Sequence, residues 1–458
     1  MMRRASPVLL LLLGGCLGRE IRPVAVAPVP TPAAWRTDDP VIGAIAEDWW
    51  QAFGDAQLSA LVGRALANNA DIGTAIGRIR QARGNLRVAG AALLPSLSVD
   101  LTGGRSRTVG ALGTPLVQTF FEPTADLDYE VDLFGALADQ KSAAREAFLS
   151  SEAARDATRL ATARTAASSY IMLLALDVQL EVARATLQSR AESLRLARSQ
   201  VANGYSPSLQ LDQAEAEYQA AAQIIPQTQL SIARAETALS QLIGDTPHAI
   251  PRGRLDRLTI PTVPAGLPSE LLRRRPDVAQ AEYQLAGADK SLSATRKRFL
   301  PTLSLTGSGG VAISDVLKAP ISLWSIGGSI LAPLFEGGRL TGATEAAAGQ
   351  RDQAAFAYRK AVLNAFGEVE DALASVRRLD EQAVTAAAQR DALRAALRRS
   401  TNRFREGYSP YLEQIDAERQ LLAAELGLVQ IRSNALSARV QLYAALGGGW
   451  TGATLSNR

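Results

Sequence analysis

Side chains able to do covalent or acid–base chemistry are scarce in this sequence. Its one cysteine is Cys16 and its one histidine is His248. A Ser-His-Asp or Cys-His arrangement would have to recruit His248, which lies in the Pro-containing stretch Asp245-Thr246-Pro247-His248 and reads as a surface-loop residue. The same scarcity removes any histidine or thiol metal cluster, and no disulfide can form within one chain. What remains is carboxylates and arginines whose spacing matters. Asp126, Asp128, Glu130 and Asp132 alternate with Ala125, Leu127, Tyr129, Val131 and Leu133, and Asp100 sits in the similar Leu97-Ser98-Val99-Asp100-Leu101-Thr102. Carboxylates at every second position of a strand share one face, and water must meet that face. Near the other end, Arg419 interrupts an apolar helical seam, where a charge needs a partner or water. Asp416, three residues earlier, offers a partner along one helix or across subunits.

Position gives Cys16 its meaning. The chain opens Met1-Met2-Arg3-Arg4, continues with the apolar block Val8 to Leu13, and reaches Leu13-Gly14-Gly15-Cys16, the pattern of a cleaved export signal over residues 1–15. The block is far shorter than the roughly 20 residues a spanning helix needs. Leu-Gly-Gly-Cys is similar to a bacterial lipobox, which implies cleavage before Cys16 and acylation of its thiol and new amino group. Residues 16–45 then form a lipidated linker. The net charge of +4 is small for 458 residues, and its signs are interspersed, which argues against a nucleic-acid surface. No glycine-rich phosphate loop follows an expected strand.

The elements that must hold these residues come in two copies. Leu94-Pro95-Ser96-Leu97-Ser98 recurs as Leu300-Pro301-Thr302-Leu303-Ser304, and Asp132-Leu133-Phe134-Gly135 has a counterpart in Pro333-Leu334-Phe335-Glu336-Gly337. Gly204-Tyr205-Ser206-Pro207 returns unchanged as Gly407-Tyr408-Ser409-Pro410. The pairs Leu211-Asp212 and Ile415-Asp416 then fall one residue out of step, so a single insertion is expected. The boundaries read as a first repeat over 46–246, a Pro-rich extended crossover over 247–268, a second repeat over 269–450 and a tail over 451–458. Each repeat lays out a helix, two strands joined by a loop, a very long helix, a turn at Gly-Tyr-Ser-Pro, and a last helix.

The expected strands, about ten residues each, have one apolar and one polar face, as in transmembrane barrels. About four of them cannot close a barrel whose smallest bacterial form has roughly eight strands, so oligomerisation follows from geometry. The long helices, roughly 65 to 70 residues without proline, would each reach about 100 Å. Leu412, Ile415, Arg419, Leu422, Leu426, Val429, Ser433, Leu436, Val440 and Tyr443 mark a coiled-coil seam in the last helix. Leu211, Ala214, Tyr218, Ala221, Ile225, Thr228, Ile232, Ala235, Leu239 and Leu242 mark its counterpart, where Pro226 predicts a kink. The two shorter helices of each copy, roughly 35 to 40 residues each, would stack end to end against one long helix.

Together these features resemble the TolC-like outer-membrane efflux proteins, and more closely their NodT-type lipoprotein branch, partners of resistance-nodulation-division pumps. The resemblance rests on Cys16 in its lipobox, Trp49-Trp50-Gln51-Ala52-Phe53, Asp128-Tyr129-Glu130-Val131-Asp132-Leu133-Phe134-Gly135, Leu271-Leu272-Arg273-Arg274-Arg275-Pro276-Asp277-Val278, Phe299-Leu300-Pro301 and Ala445-Leu446-Gly447-Gly448-Gly449-Trp450. It implies a mainly α fold with a transmembrane β section. Three chains would give four strands each to one barrel, which a long α-helical periplasmic barrel continues. It also implies a homotrimer in outer-membrane lipid, a periplasmic adaptor (membrane fusion) protein and an inner-membrane transporter, with no cofactor and no catalysis. In that frame Leu412, Asp416 and Arg419 match the periplasmic gate, Gly204, Tyr205, Gly407 and Tyr408 the adaptor-contact tips, and Asp100, Asp126, Asp128, Glu130 and Asp132 the barrel lumen. The competing reading is a structural coiled-coil lipoprotein or a periplasmic adaptor without a pore. An adaptor would need a small β-rich lipoyl-like module, and paired amphipathic strands stand against a plain coiled coil.

Overall fold

The computed structural model describes residues 23–25, 27–36, 45–109 and 113–452. Cys16 and the export signal lie outside the described residues. The chain divides into two compact units, one formed by residues 1–28, 77–152 and 280–360 and the other by 29–76, 153–279 and 361–458.

The first unit holds a four-stranded antiparallel sheet in the order β1-β2-β3-β4. Its strands are β1 (Ser96–Val109), β2 (Pro115–Val131), β3 (Thr302–Ser314) and β4 (Ile321–Leu331). They are longer than alternation alone suggested. β2 runs back through Pro123, where the ladder to β3 skips Glu122 and Pro123 although the register on either side is continuous, Phe121 opposite Ile313 and Thr124 opposite Gly310. A proline cannot donate to the ladder, hence the gap. The chains approach so closely there that a Cβ on Gly310 would lie 2.4 Å from the Pro123 carbonyl oxygen, which leaves room only for glycine. At its other end β2 stops at Val131. Asp132, expected on the acidic strand face, instead accepts from the Leu137 and Ala138 amides at 3.0 and 2.8 Å and caps the helix that follows.

The helices are α1 (Ala56–Asn68), α2 (Ala70–Ala91), α3 (Ala136–Ala202), α4 (Ser208–Leu242), α5 (Pro268–Arg274), α6 (Pro276–Lys297), α7 (Arg339–Arg405) and α8 (Tyr411–Ala445). The first helix of each copy is broken where a single one was expected. Asn69 turns extended and its side chain accepts from the Asp71 and Ile72 amides, ending α1 and starting α2. In the second copy Arg275 turns extended before Pro276, as a residue preceding proline prefers. Helix α4 continues through the exposed Pro226.

From here the copies match residue for residue. α3 and α7 each have 67 residues, α4 and α8 each have 35, and the turns between them are equally long. The expected insertion is therefore absent: Asp212 corresponds to Ile415 and Gln213 to Asp416. The one-residue mismatch of the apolar-Asp pairs was coincidental.

The core of the second unit gathers Trp49, Phe53, Leu58, Val62, Tyr170, Leu174, Leu239, Leu436, Val440 and Tyr443. Trp49 stacks on Tyr443 with ring centroids 5.3 Å apart. Such aromatic burial is worth several kcal/mol in total, of order 25 cal/mol per Å². Tyr170 carries its hydroxyl into this core by donating to Asp55 and accepting from the Gly253 amide. The extended crossover is sealed by Arg252, whose guanidinium holds Asp177 and Glu236. Ahead of α1, Trp35 is buried, tilted against Phe366 and donating to the Gly266 carbonyl at 3.0 Å.

Candidate functional site

Register decides which side of the sheet is polar. Ser98 faces Asp126 and Ser96 faces Asp128 across β1 and β2, while Asp126, Asp128 and Glu130 oppose Ser308, Thr306 and Ser304 on β3. Ser304 and Ser308 in turn oppose Ser329 and Ser325. Residues paired across a sheet share a face, so Asp100, Glu122, Asp126, Asp128 and Glu130 all lie on one side among serines and threonines. Glu122 belongs with the acids but escaped sequence reading because Pro123 obscured the strand's start. The opposite side carries Leu97, Val99, Leu101, Trp324, Ile326 and Ile330, with exposures from 67 to 85%. A wholly uncovered apolar face on one side and an acidic face on the other suits lipid outside and water inside.

The turn ends of the long helices form the second locus, within the other unit. Gly204 and Gly407 have φ of 76° and 77°, left-handed values that glycine adopts without strain. The Tyr205 and Tyr408 amides each reach back 2.8 Å to the carbonyls of Gln200 and Arg403, closing the helix ends. Both tyrosines project outward, 84 and 78% exposed. Pro207 and Pro410 then start α4 and α8 with nearly identical backbone angles.

Behind the turns, Leu194, Ala197, Ala214, Tyr411 and Ile415 form a small apolar cluster, with the Phe404 ring 5.2 Å from that of Tyr411. Burial, reinforced by the nearby Glu418 carboxylate, pushes the Tyr411 hydroxyl up to about 12. Next to this cluster lies a buried charge group. Glu217 is shared by two arginines: Arg190 donates to both its carbonyl and its carboxylate, and Arg419 Nε donates to Oε1 at 2.7 Å. Glu217 and Arg190 are buried, whereas the Arg419 side chain is 62% exposed. Burial lowers the Arg190 pKa, an effect that Glu418 opposes. Gln414 donates to Glu418 Oε1 at 2.9 Å.

The structure thus gives Arg419 a partner other than the one spacing suggested. Asp416 accepts from Gln420 at 2.6 Å, one turn on. Leu412 and Arg419 leave the helical core: Leu412 is 59% exposed, while Tyr411, Gln414, Ile415 and Glu418 are buried in their stead. Leu412, Asp416 and Arg419 therefore share an outward face at the start of α8. Glu217 and Arg190 were invisible to sequence reading because their contact joins α3 to α4 and then to α8, and no local spacing encodes it.

A family model described as outer membrane efflux protein matches residues 61–245 and 267–448, most of the chain and both copies. The chain belongs to the outer membrane efflux protein family. Among its relatives is the pyoverdine export outer membrane protein OpmQ of Pseudomonas aeruginosa, 34% identical over 88% of this chain and 87% of that one. The cation efflux system protein CusC of Escherichia coli O6:H1 is 31% identical over 88% of each. Among solved structures, CusC superposes with a TM-score of 0.83 at 29% identity, covering 93% of this chain and 99% of that one. The outer-membrane channel OprN gives 0.85 at 27%, over the same shares. This efflux protein is accordingly a TolC-like outer-membrane channel component, with its helices extending into the periplasm.

Proposed function

We propose that this chain is one third of a passive exit duct, without catalysis. Three copies would close twelve strands into one barrel and carry small molecules delivered by an inner-membrane resistance-nodulation-division transporter through a periplasmic adaptor. The carrying observation is the sheet itself. It has four strands, two unpaired edges, an uncovered apolar face and an acidic face, and such a sheet is stable in a bilayer only when its edges are paired. Acylation at Cys16 would tether each chain beside the barrel, with residues 16–45 as the linker.

Leu412, Asp416 and Arg419 then form the periplasmic gate, on a face of α8 that the chain leaves uncovered. Glu217 positions Arg419 from behind. Gly204, Tyr205, Gly407 and Tyr408 form the adaptor-contact tips. Asp100, Glu122, Asp126, Asp128 and Glu130 line the lumen and bias it towards cations; Asp132 works as a helix cap. The internal repeats, residues 46–246 and 269–450, supply alternate sectors of the wall.

Single-channel recording of the detergent-purified protein in planar bilayers tests this reading. A low resting conductance that rises in Asp416→Ala and Arg419→Ala channels supports it. Unchanged conductance in both variants removes the gate assignment, and absence of any conductance removes the duct.

A further inference from the structure

Helix α7 ends in a run of arginines that α3 does not share. Arg390, Arg394, Arg398, Arg399, Arg403 and Arg405 occupy positions that in α3 are Leu187, Ala191, Arg195, Leu196, Gln200 and Ala202. All but Arg390 are exposed. Arg394 reaches Glu425 and Arg403 reaches Glu413, whereas Arg398, Arg399 and Arg405 have no ion pair among the described residues. In α3 the one matching arginine, Arg195, is neutralised by Glu192.

Helix stability does not account for the run. Cations favour a helix C-terminus only within its last turn, and α3 ends equally well with no basic residue there. Anionic lipid headgroups at the sheet are a poor match too, since the sheet belongs to the other unit. A cluster of unpaired guanidinium groups beside an exposed tyrosine is the surface that recognises carboxylates, each fork taking two oxygens.

We infer that the turn end of α7 docks an acidic helical segment of the periplasmic adaptor, and that α3 provides no equivalent surface. This rests on the reading that the helical tips meet an adaptor. The interaction is electrostatic, so it weakens as salt rises.

The test places a photo-cross-linking residue in the full-length lipoprotein in cells, at Asn402 among the arginines or at its exposed α3 counterpart Ser199, and sequences the cross-linked peptide. The expected product at Asn402 is a helical peptide of another protein rich in Asp and Glu, at about ten times the yield from Ser199. Arg398→Glu/Arg399→Glu/Arg405→Glu should lower that yield about ten-fold while membrane insertion and oligomer mass stay unchanged. Arg398→Glu alone serves if the triple variant does not assemble, with a smaller loss. A peptide from a second copy of this chain, a lipid adduct, equal yields from Asn402 and Ser199, or a yield insensitive to charge reversal overturns the inference. If probes at Tyr205 and Tyr408 capture an adaptor while Asn402 does not, the tip reading stands and the α7 inference falls; if no tip position captures another protein, both fall.

Discussion

The two turn ends share a backbone and the Gly-Tyr-Ser-Pro sequence, but not the charged side chains behind it. α3 and α7 have the same length, as do α4 and α8, and the turns agree to within a degree at glycine. Yet the first copy contributes the buried pair Arg190 and Glu217, at positions that the second fills with Leu393 and Gln420. The second contributes Arg419 and the arginine run, where the first has Ala216 and mostly neutral residues. Duplication thus preserved what glycine, proline and apolar periodicity dictate, and left side-chain charge free to diverge. Two copies of one scaffold can therefore divide labour, one anchoring the proposed gate and the other presenting it.

Substitutions at matched positions break or sharpen that contrast. The largest effect is expected at the turns, where Tyr408→Glu should abolish efflux while leaving the oligomer intact, and Tyr205→Glu should reduce it less. Equal losses, read as minimal inhibitory concentrations, would erase the asymmetry.

Next comes Glu217→Ala. It leaves Arg190 buried without its carboxylate, a change that costs about 3–5 kcal/mol for a buried pair. Its counterpart Gln420→Ala is exposed and should stay within about 0.5 kcal/mol. Hydrogen exchange over the adjoining parts of α3 and α4 separates the two.

Gate variants follow. Arg419→Ala should raise conductance more than Asp416→Ala, because Arg419 bridges to α4 whereas Asp416, among the described residues, bonds only within α8. Gln213→Ala, the first-copy match of Asp416, should leave conductance unchanged.

The smallest effect concerns acid. At the start of α3, Asp139 pairs with Lys297 and accepts from Ser293; its second-copy match is Gly342. Burial works against its charge, but these partners outweigh it and hold its pKa below the usual carboxylate value. Its folded pKa being depressed, the stabilisation is present above the unfolded value near 4 and is lost as pH falls through the folded one. Thermal unfolding of Asp139→Asn should therefore be less stable at neutral pH and converge on the parent in strong acid. A constant difference across pH would remove the role.

Local pattern carried most of the fold. Alternation at Ala125 to Val131 and the seam at Leu211 to Leu242 exposed strand and helix, because both depend on neighbours a few residues away. What stayed hidden was long-range or conformational. Pro123 masked the first half of β2, since only the distant Gly310 makes room for it. Asp132 kept the strand's alternation while already serving the next helix. Arg419 was recognisable as a charge needing a partner, but the partner lay on another helix. The polar sheet face was legible, apart from Glu122.

The central claim is that one chain cannot conduct and three can. Native mass spectrometry of the detergent-purified protein, run beside planar-bilayer recording of the same fractions, tests it most directly. Conductance confined to the species of three chains is the predicted result; a conducting monomer, or a three-chain species that never conducts in any gate variant, would contradict it.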